Sequence, residues 1–154
     1  MKTPYHDRSD LTKIQSQWHK LTGLRNRGEC SAAVIRAATA TELAVNFAIR
    51  NEFKERSTFD DHFVDSLLLW ANGLGGKMQR LVLPLSEGTG KQSKIRKIKE
   101  LSIKINAKRN AIAHRGEFCG EKAGKTVIED ARVFIESLVQ LYKPSFTLKD
   151  QTSE

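Results

Sequence analysis

The sequence has little cysteine, little proline and no metal-ligand cluster, and these shortages exclude several kinds of protein. Its two cysteines, Cys30 and Cys119, have 88 residues between them, and neither has a metal-ligating partner at useful spacing. A disulfide framework and a zinc site are therefore not expected. We expect both thiols to be reduced and to act as small apolar side chains. No metal or cofactor is predicted.

Long apolar runs are also missing from the sequence as it reads. None approaches the roughly 20 residues that a membrane-spanning helix needs. The first ten residues, MKTPYHDRSD, lack the apolar core of a signal peptide. We therefore expect a cytoplasmic protein. A length of 154 residues with 39% hydrophobic and 29% charged residues is typical of one globular domain.

Acidic residues are scarce where basic ones are concentrated. Residues 91–115 contain nine lysines and arginines, and Glu100 is the only acid among them, so this segment alone matches the net charge of +8 of the whole chain. Such a segment is typical of a surface that binds a polyanion. The alternative is a solvated helix face that only aids solubility.

Apolar residues recur at steps of three and four, and no strand-like alternation is sustained. We expect an all-α fold, an antiparallel bundle of four to five helices in one domain over residues 1–146, with a disordered tail at 147–154. Trp18 and Trp70 lie on apolar stripes and are predicted to be core residues. The pattern predicts helices near 10–24 and 29–53, a helix from about 63 that weakens at 73–76, a loop at 84–93, a basic helix after it, and a last helix at about 125–142.

The segment Arg109-Asn110-Ala111-Ile112-Ala113-His114 carries the clearest chemical signal. Arg109 offers a planar, permanently charged fork for phosphate. His114 is the type of side chain best suited to move protons near neutral pH. Together they could clamp a phosphodiester and transfer its protons without a metal.

This motif, late in an all-α domain and followed by one more amphipathic helix, resembles the signature of the HEPN superfamily. Arg109 and His114 fit its arginine and histidine with four residues between them, and Asn110 fits its favoured polar position. The resemblance implies a metal-independent endoribonuclease of a toxin–antitoxin or other defence system. It also implies a homodimer in which both motifs meet across the interface, and a cognate antitoxin or another regulatory protein as partner.

Two other interpretations remain open. Some HEPN proteins have lost catalysis and bind nucleic acid or a protein partner, and a branch resembling the mannitol-operon repressor group is tied to regulation. A helical adaptor whose basic helix docks on an acidic protein is the third interpretation. Each motif residue also has a purely structural explanation, such as a helix-capping role for His114.

Under the ribonuclease hypothesis, the ribose 2′-hydroxyl attacks the adjacent phosphate and leaves a 2′,3′-cyclic phosphate. His114 is then the general base or acid, Arg109 stabilises the phosphoryl charge, and Asn110 orients His114 or contacts the phosphate. The flanking cations, expected to attract the RNA backbone, are Lys104, Lys108 and Arg115.

Helix geometry raises a difficulty for this site. Residues five apart point roughly 140° away from each other on an ideal helix. One straight helix is therefore not expected to aim Arg109 and His114 at the same phosphate. Either the helix ends or distorts near Gly116, or a second subunit supplies the complement. Glu42 on the second helix could face the motif and tune it, or it could be an ordinary surface acid.

Overall fold

The computed structural model describes residues 1–152, and every regular element in that range is helical. After a short 3-10 turn at Tyr5–Asp7, six helices follow. They are α1 (Asp10–Asn26), α2 (Cys30–Arg56), α3 (Asp61–Trp70), α4 (residues 74–86), α5 (Gln92–Arg115) and α6 (Glu121–Val139). The predicted all-α bundle is confirmed, with six helices instead of four to five.

The additional helix arises because the helix predicted from about residue 63 is divided in two at Gly73. This glycine has a φ of 90°, which separates α3 from α4. The following segment stays helical through Pro84, where a loop was predicted. Its middle, Met78–Val82, is a π turn. Proline removes one N–H and crowds the carbonyl four residues earlier, here Arg80, and the wider π turn lies at that point. The loop is therefore confined to residues 87–91.

Helix α2 lies at the centre of the bundle and packs against each of the other five helices. Its alanines allow close approach, and those that are completely buried include Ala33, Ala37, Ala40 and Ala44. The core opposite them comes largely from α1 and α6, and its largest fully buried side chains there are Ile14, Trp18, Leu21, Phe134, Ile135 and Leu138. Trp18 is thus a core residue, as predicted.

The length and composition of α2 also meet the criteria for a helix that could cross a membrane, which the sequence analysis did not recognise. More than half of its most apolar window is buried inside the bundle. A buried core helix of this length passes the same test.

The C-terminal segment corrects the expectation of a disordered tail at 147–154. Leu148 is buried against the core, and Gln15 exchanges hydrogen bonds with the backbone of Lys149. The indole of Trp18 donates to Asp150 at 2.8 Å. The segment was predicted as disordered because its sequence is polar, but its polar groups find partners on α1. Residues 153 and 154 lie outside the described range.

The two cysteines are both free and buried. They lie on either side of Gly124, where an added Cβ would approach the Cβ of Cys30 to 3.2 Å and the Sγ of Cys119 to 3.6 Å. Glycine at this position therefore lets α6 pass close to the first residue of α2. Burial raises the pKa of the Cys119 thiol.

A buried carboxylate joins the far end of α2 to two other parts of the chain. Glu52 accepts hydrogen bonds from Lys91 at 2.9 Å and from the hydroxyl of Tyr142 at 2.7 Å, and its second oxygen lies 3.0 Å from Arg56 Nε. Burial opposes ionisation of Glu52, but these hydrogen bonds and the charges of Lys91 and Arg56 outweigh it. The pKa of the Glu52 carboxyl therefore lies below its usual value.

This shift makes a prediction about the pH dependence of stability. A carboxyl whose pKa is lowered by folding contributes stability that is present above its unfolded pKa and is lost as the pH falls through the folded pKa. We expect the wild-type free energy of unfolding to decrease below about pH 4.5, the usual pKa of the group. Glu52→Gln should cost about 3–5 kcal/mol at neutral pH and flatten this acid-side decrease.

Urea unfolding at pH 7 and at several acidic values measures both effects. Glu55→Gln is the matched control, because Glu55 lies on the same helix but is exposed and 3.7 Å from Lys91. A Glu52→Gln variant as stable as this control would contradict the prediction.

Candidate functional site

The motif occupies the last two turns of α5. The buried stripe of this helix, formed by Ile95, Ile98, Ser102 and Ile105, packs toward the core. This orientation turns His114 outward, where it is exposed, and leaves Arg109 and Asn110 half-buried. The helix remains α-helical to Arg115 and ends at Gly116, which adopts the left-handed conformation with φ 65°.

Arg109 and His114 are in direct contact within one chain. Arg109 Nη1 lies 3.1 Å from His114 Nε2 and 3.2 Å from Asn110 Oδ1, so its two hydrogens can serve both partners. The expectation that one straight helix does not aim Arg109 and His114 at the same phosphate left out the length of the arginine side chain. The directions differ as predicted, but the long arginine side chain reaches across the difference. All three motif residues meet without a distorted helix or a second subunit.

The contact also assigns the donor and the acceptor. An arginine can only donate, so the hydrogen bond between the two side chains has Arg109 as donor and His114 Nε2 as acceptor. Within residues 1–152, Arg109 Nη2 and Nε make no hydrogen bond, and the guanidinium has no acidic partner. Most of the arginine fork thus remains free to bind an anion.

Arg109 lies on the wall of a small cavity between α2, α4 and α5. Its volume is about 120 Å³, and it is lined by Ala38, Thr39, Glu42, Asn72, Gly73, Leu74, Asn106 and Arg109. Helix α4 begins against α5 here, since an added Cβ on Gly75 would lie 3.6 Å from Asn106 Nδ2. The cavity therefore brings together three segments that are distant in sequence, namely residues 38–42, 72–74 and 106–109.

Glu42 faces this cavity, but its carboxylate is already paired. It accepts a hydrogen bond from Lys77 Nζ at 2.9 Å, and Lys77 is almost completely buried. The ion pair neutralises the acid beside Arg109 and leaves the arginine charge uncompensated. Lys77 has no counterpart in the sequence analysis. Gln79 and Arg80 follow closely, so no sequence pattern marks Lys77 as a buried residue.

The predicted RNA-binding cations differ in availability. Lys104 is exposed and makes no ion pair within residues 1–152. Lys108 Nζ, in contrast, lies 2.6 Å from Glu117, and Arg115 lies 3.7 Å from the same carboxylate. The hydrogen bond with Glu117 raises the pKa of Lys108, and it lowers the pKa of Glu117. Sequence reasoning missed Glu117 because it lies two residues beyond the basic segment.

A basic surface nevertheless remains on α5. Lys91 is paired with Glu52 and Glu55 at the start of the helix. The other exposed cations along the helix form no ion pair with any residue between 1 and 152, namely Lys94, Arg96, Lys97 and Lys104. We call these four residues the α5 basic surface.

Trp70 corrects a second expectation. It was predicted as a core residue but is 84% exposed, and its neighbour Leu69 is 82% exposed. Both lie in the last turn of α3, whose buried residues are Val64 and Leu68. The apolar pattern of α3 covers more of the helix circumference than the core can bury, and periodicity alone does not show which part remains outside.

Among the described residues, no three histidine, cysteine or acidic side chains converge as metal ligands. Comparison of the chain with models of protein families, with curated proteins and with solved structures found no match.

The contacts of Glu117 lead to a prediction. Glu117→Gln releases Lys108 and Arg115, so the variant should bind a polyanion more tightly than the wild type and elute from heparin at higher salt. Glu100→Gln is the matched control, because it also removes one negative charge but breaks no ion pair within residues 1–152. Equal elution shifts for the two variants would show that Glu117 does not mask these cations.

Proposed function

We propose that this chain is a HEPN-like, metal-independent endoribonuclease of toxin or defence type, located in the cytoplasm. The observation that carries the proposal is the contact of His114 with Arg109, whose guanidinium has no acidic partner within residues 1–152. An arginine fork next to an unprotonated imidazole nitrogen supplies an anion clamp and a base in one place. The nucleophile belongs to the substrate, so the site needs no serine or cysteine of its own.

In this mechanism the 2′-oxygen of a ribose attacks the adjacent phosphorus, and the bond from phosphorus to the 5′-oxygen breaks. His114 Nε2 takes the proton of the 2′-hydroxyl, and the leaving 5′-oxygen receives a proton from an acid. Arg109 stabilises the charge on the phosphoryl oxygens, and Asn110 helps to hold the arginine in place.

The contact between Arg109 and His114 has a consequence for the order of events. His114 Nε2 cannot accept a substrate proton while Arg109 donates to it. A phosphate that draws the guanidinium toward its own oxygens releases this nitrogen. Substrate binding and exposure of the base are thereby coupled.

The need for an acid supports a homodimer. One chain brings a single histidine to the site, and this residue cannot serve as base and acid in the same step. A twofold partner would add a second His114. One face of α5 is suited to such a partner, because Ile103, Ala107, Asn110 and His114 follow one another at helical spacing and Ile103 is 49% exposed.

A cognate antitoxin or another regulatory protein would be a further partner of a toxin.

A non-catalytic nucleic-acid-binding module, such as a transcriptional regulator, is the second candidate. The α5 basic surface supports it, because these cations can bind phosphates whether or not His114 transfers protons. Only the first candidate requires His114.

The catalytic assignment can be tested with purified protein and RNA in the presence of EDTA. We expect cleavage products with 2′,3′-cyclic phosphate ends, and no cleavage of DNA, which lacks the 2′-hydroxyl. His114→Ala should lower the rate by about 10²–10⁴-fold. Arg109→Ala should also slow cleavage strongly, because it removes charge stabilisation.

His19→Ala is the control, because His19 is an exposed histidine on α1. Cleavage that survives in both motif variants would show that the active site is elsewhere. Absence of cleavage by the wild type, together with salt-dependent RNA binding, would favour the binding module.

The dimer can be tested through Ile103. Ile103→Glu places a charge on the proposed contact face and should convert a dimer into a monomer and reduce cleavage, as measured by analytical ultracentrifugation and RNA cleavage together. Val133→Glu is the matched control, since Val133 is 53% exposed on α6. A wild-type monomer with full activity at micromolar concentration would contradict the dimer.

A further inference from the structure

The exposed indole of Trp70 is the large aromatic surface associated with the Arg109 cavity. Trp70 precedes Asn72 by two residues, and Asn72 and Gly73 line the cavity together with Arg109. Two residues span at most about 7 Å of chain. The backbone of Trp70 is therefore close to the wall that the arginine shares.

The backbone that carries this indole is held by the ordered end of α3. The N–H of Ala71 donates to the carbonyl of Leu67 at 2.8 Å, which completes the last turn behind Trp70. Val64 and Leu68 anchor the helix in the core. The tryptophan is therefore presented from a packed helix and not from a free loop.

A free cation within one nucleotide's reach of an exposed aromatic residue is an arrangement that suits single-stranded nucleic acid. The cation holds a phosphate, and the ring stacks on a neighbouring base. A base inside a duplex is already stacked on both sides, so its face is not available. Leu69 adds apolar area next to Trp70 but has no aromatic face with which to stack.

We propose that Trp70 stacks on an unpaired base of RNA whose phosphate is bound by Arg109, so that the site takes single-stranded RNA. This inference rests on the proposed function, because it assigns the substrate of the same site. It adds a binding residue from α3 to the three motif residues of α5. It also attributes the preference for single-stranded RNA to Trp70.

The two tryptophans of the chain allow a direct test. Trp18 is completely buried, whereas Trp70 is exposed, so quenching of tryptophan fluorescence by a bound base reports on Trp70. A short RNA with 2′-O-methyl riboses serves as the probe, because it lacks the hydroxyl needed for cleavage. We expect quenching with the single strand and much weaker binding of the same sequence as a duplex.

Three variants complete the test, with affinity measured by fluorescence anisotropy of a labelled probe. Trp70→Ala should weaken binding of the single strand by roughly tenfold. Trp70→Phe keeps an aromatic face and should retain most of the affinity while abolishing the quenching. Leu69→Ala, the matched control, should bind like the wild type.

The outcomes separate this inference from the function on which it rests. Failure of wild-type protein to bind or cleave any RNA contradicts the proposed function. RNA cleavage that is normal in Trp70→Ala, with equal affinities for Trp70→Ala and Leu69→Ala, overturns only the stacking role. Conversion of a dimer into a monomer by Trp70→Ala, measured by ultracentrifugation, also overturns it and assigns the surface to contact between copies.

Discussion

Close packing around α2 is the constraint on which the rest of the structure depends. Its buried alanines let neighbouring helices approach its backbone, and Thr39 and Glu42 on the same helix then reach the cavity beside Arg109. Ten residues beyond Glu42, near the C-terminal end of α2, Glu52 ties the start of α5 to Tyr142. A larger side chain at one of the alanines would therefore move more than the core. It would also shift Glu52 and so disturb the contact with Lys91 at the start of α5.

Much of the fold follows from local pattern, and the departures have specific physical causes. The spacing of apolar residues was enough to locate α1, α2, α5 and α6 to within a few residues, because each buries one continuous stripe. The docked tail could not be found in this way, since Leu148 and Asp150 acquire partners only when α1 is in place. Trp70 shows the converse problem. Its apolar character predicts burial, but the bundle has no remaining surface to cover it.

The candidate site shows the same division between local and distant effects. Arg109, Asn110 and His114 were found from their types and spacing, but the angular argument failed because it considered directions and not side-chain length. Charge was harder to predict than position. The charged residues of the segment 91–115 are almost all basic. Two acids outside the segment, Glu52 and Glu117, nevertheless pair with three of its cations. The effective positive surface is thus smaller than the sequence indicates and lies on the first half of α5.

This redistribution of charge bears on how the proposed chemistry is organised. Glu42 lines the same cavity as Arg109, and its carboxylate is held by buried Lys77. An arginine that is neutralised within its own chain would gain little from binding a phosphate, because one ion pair would only replace another. Under the proposed function, the pair between Lys77 and Glu42 leaves Arg109 without this acid as a partner. Arg109 contacts His114 instead of a carboxylate, and under the proposed function a phosphate replaces this hydrogen bond.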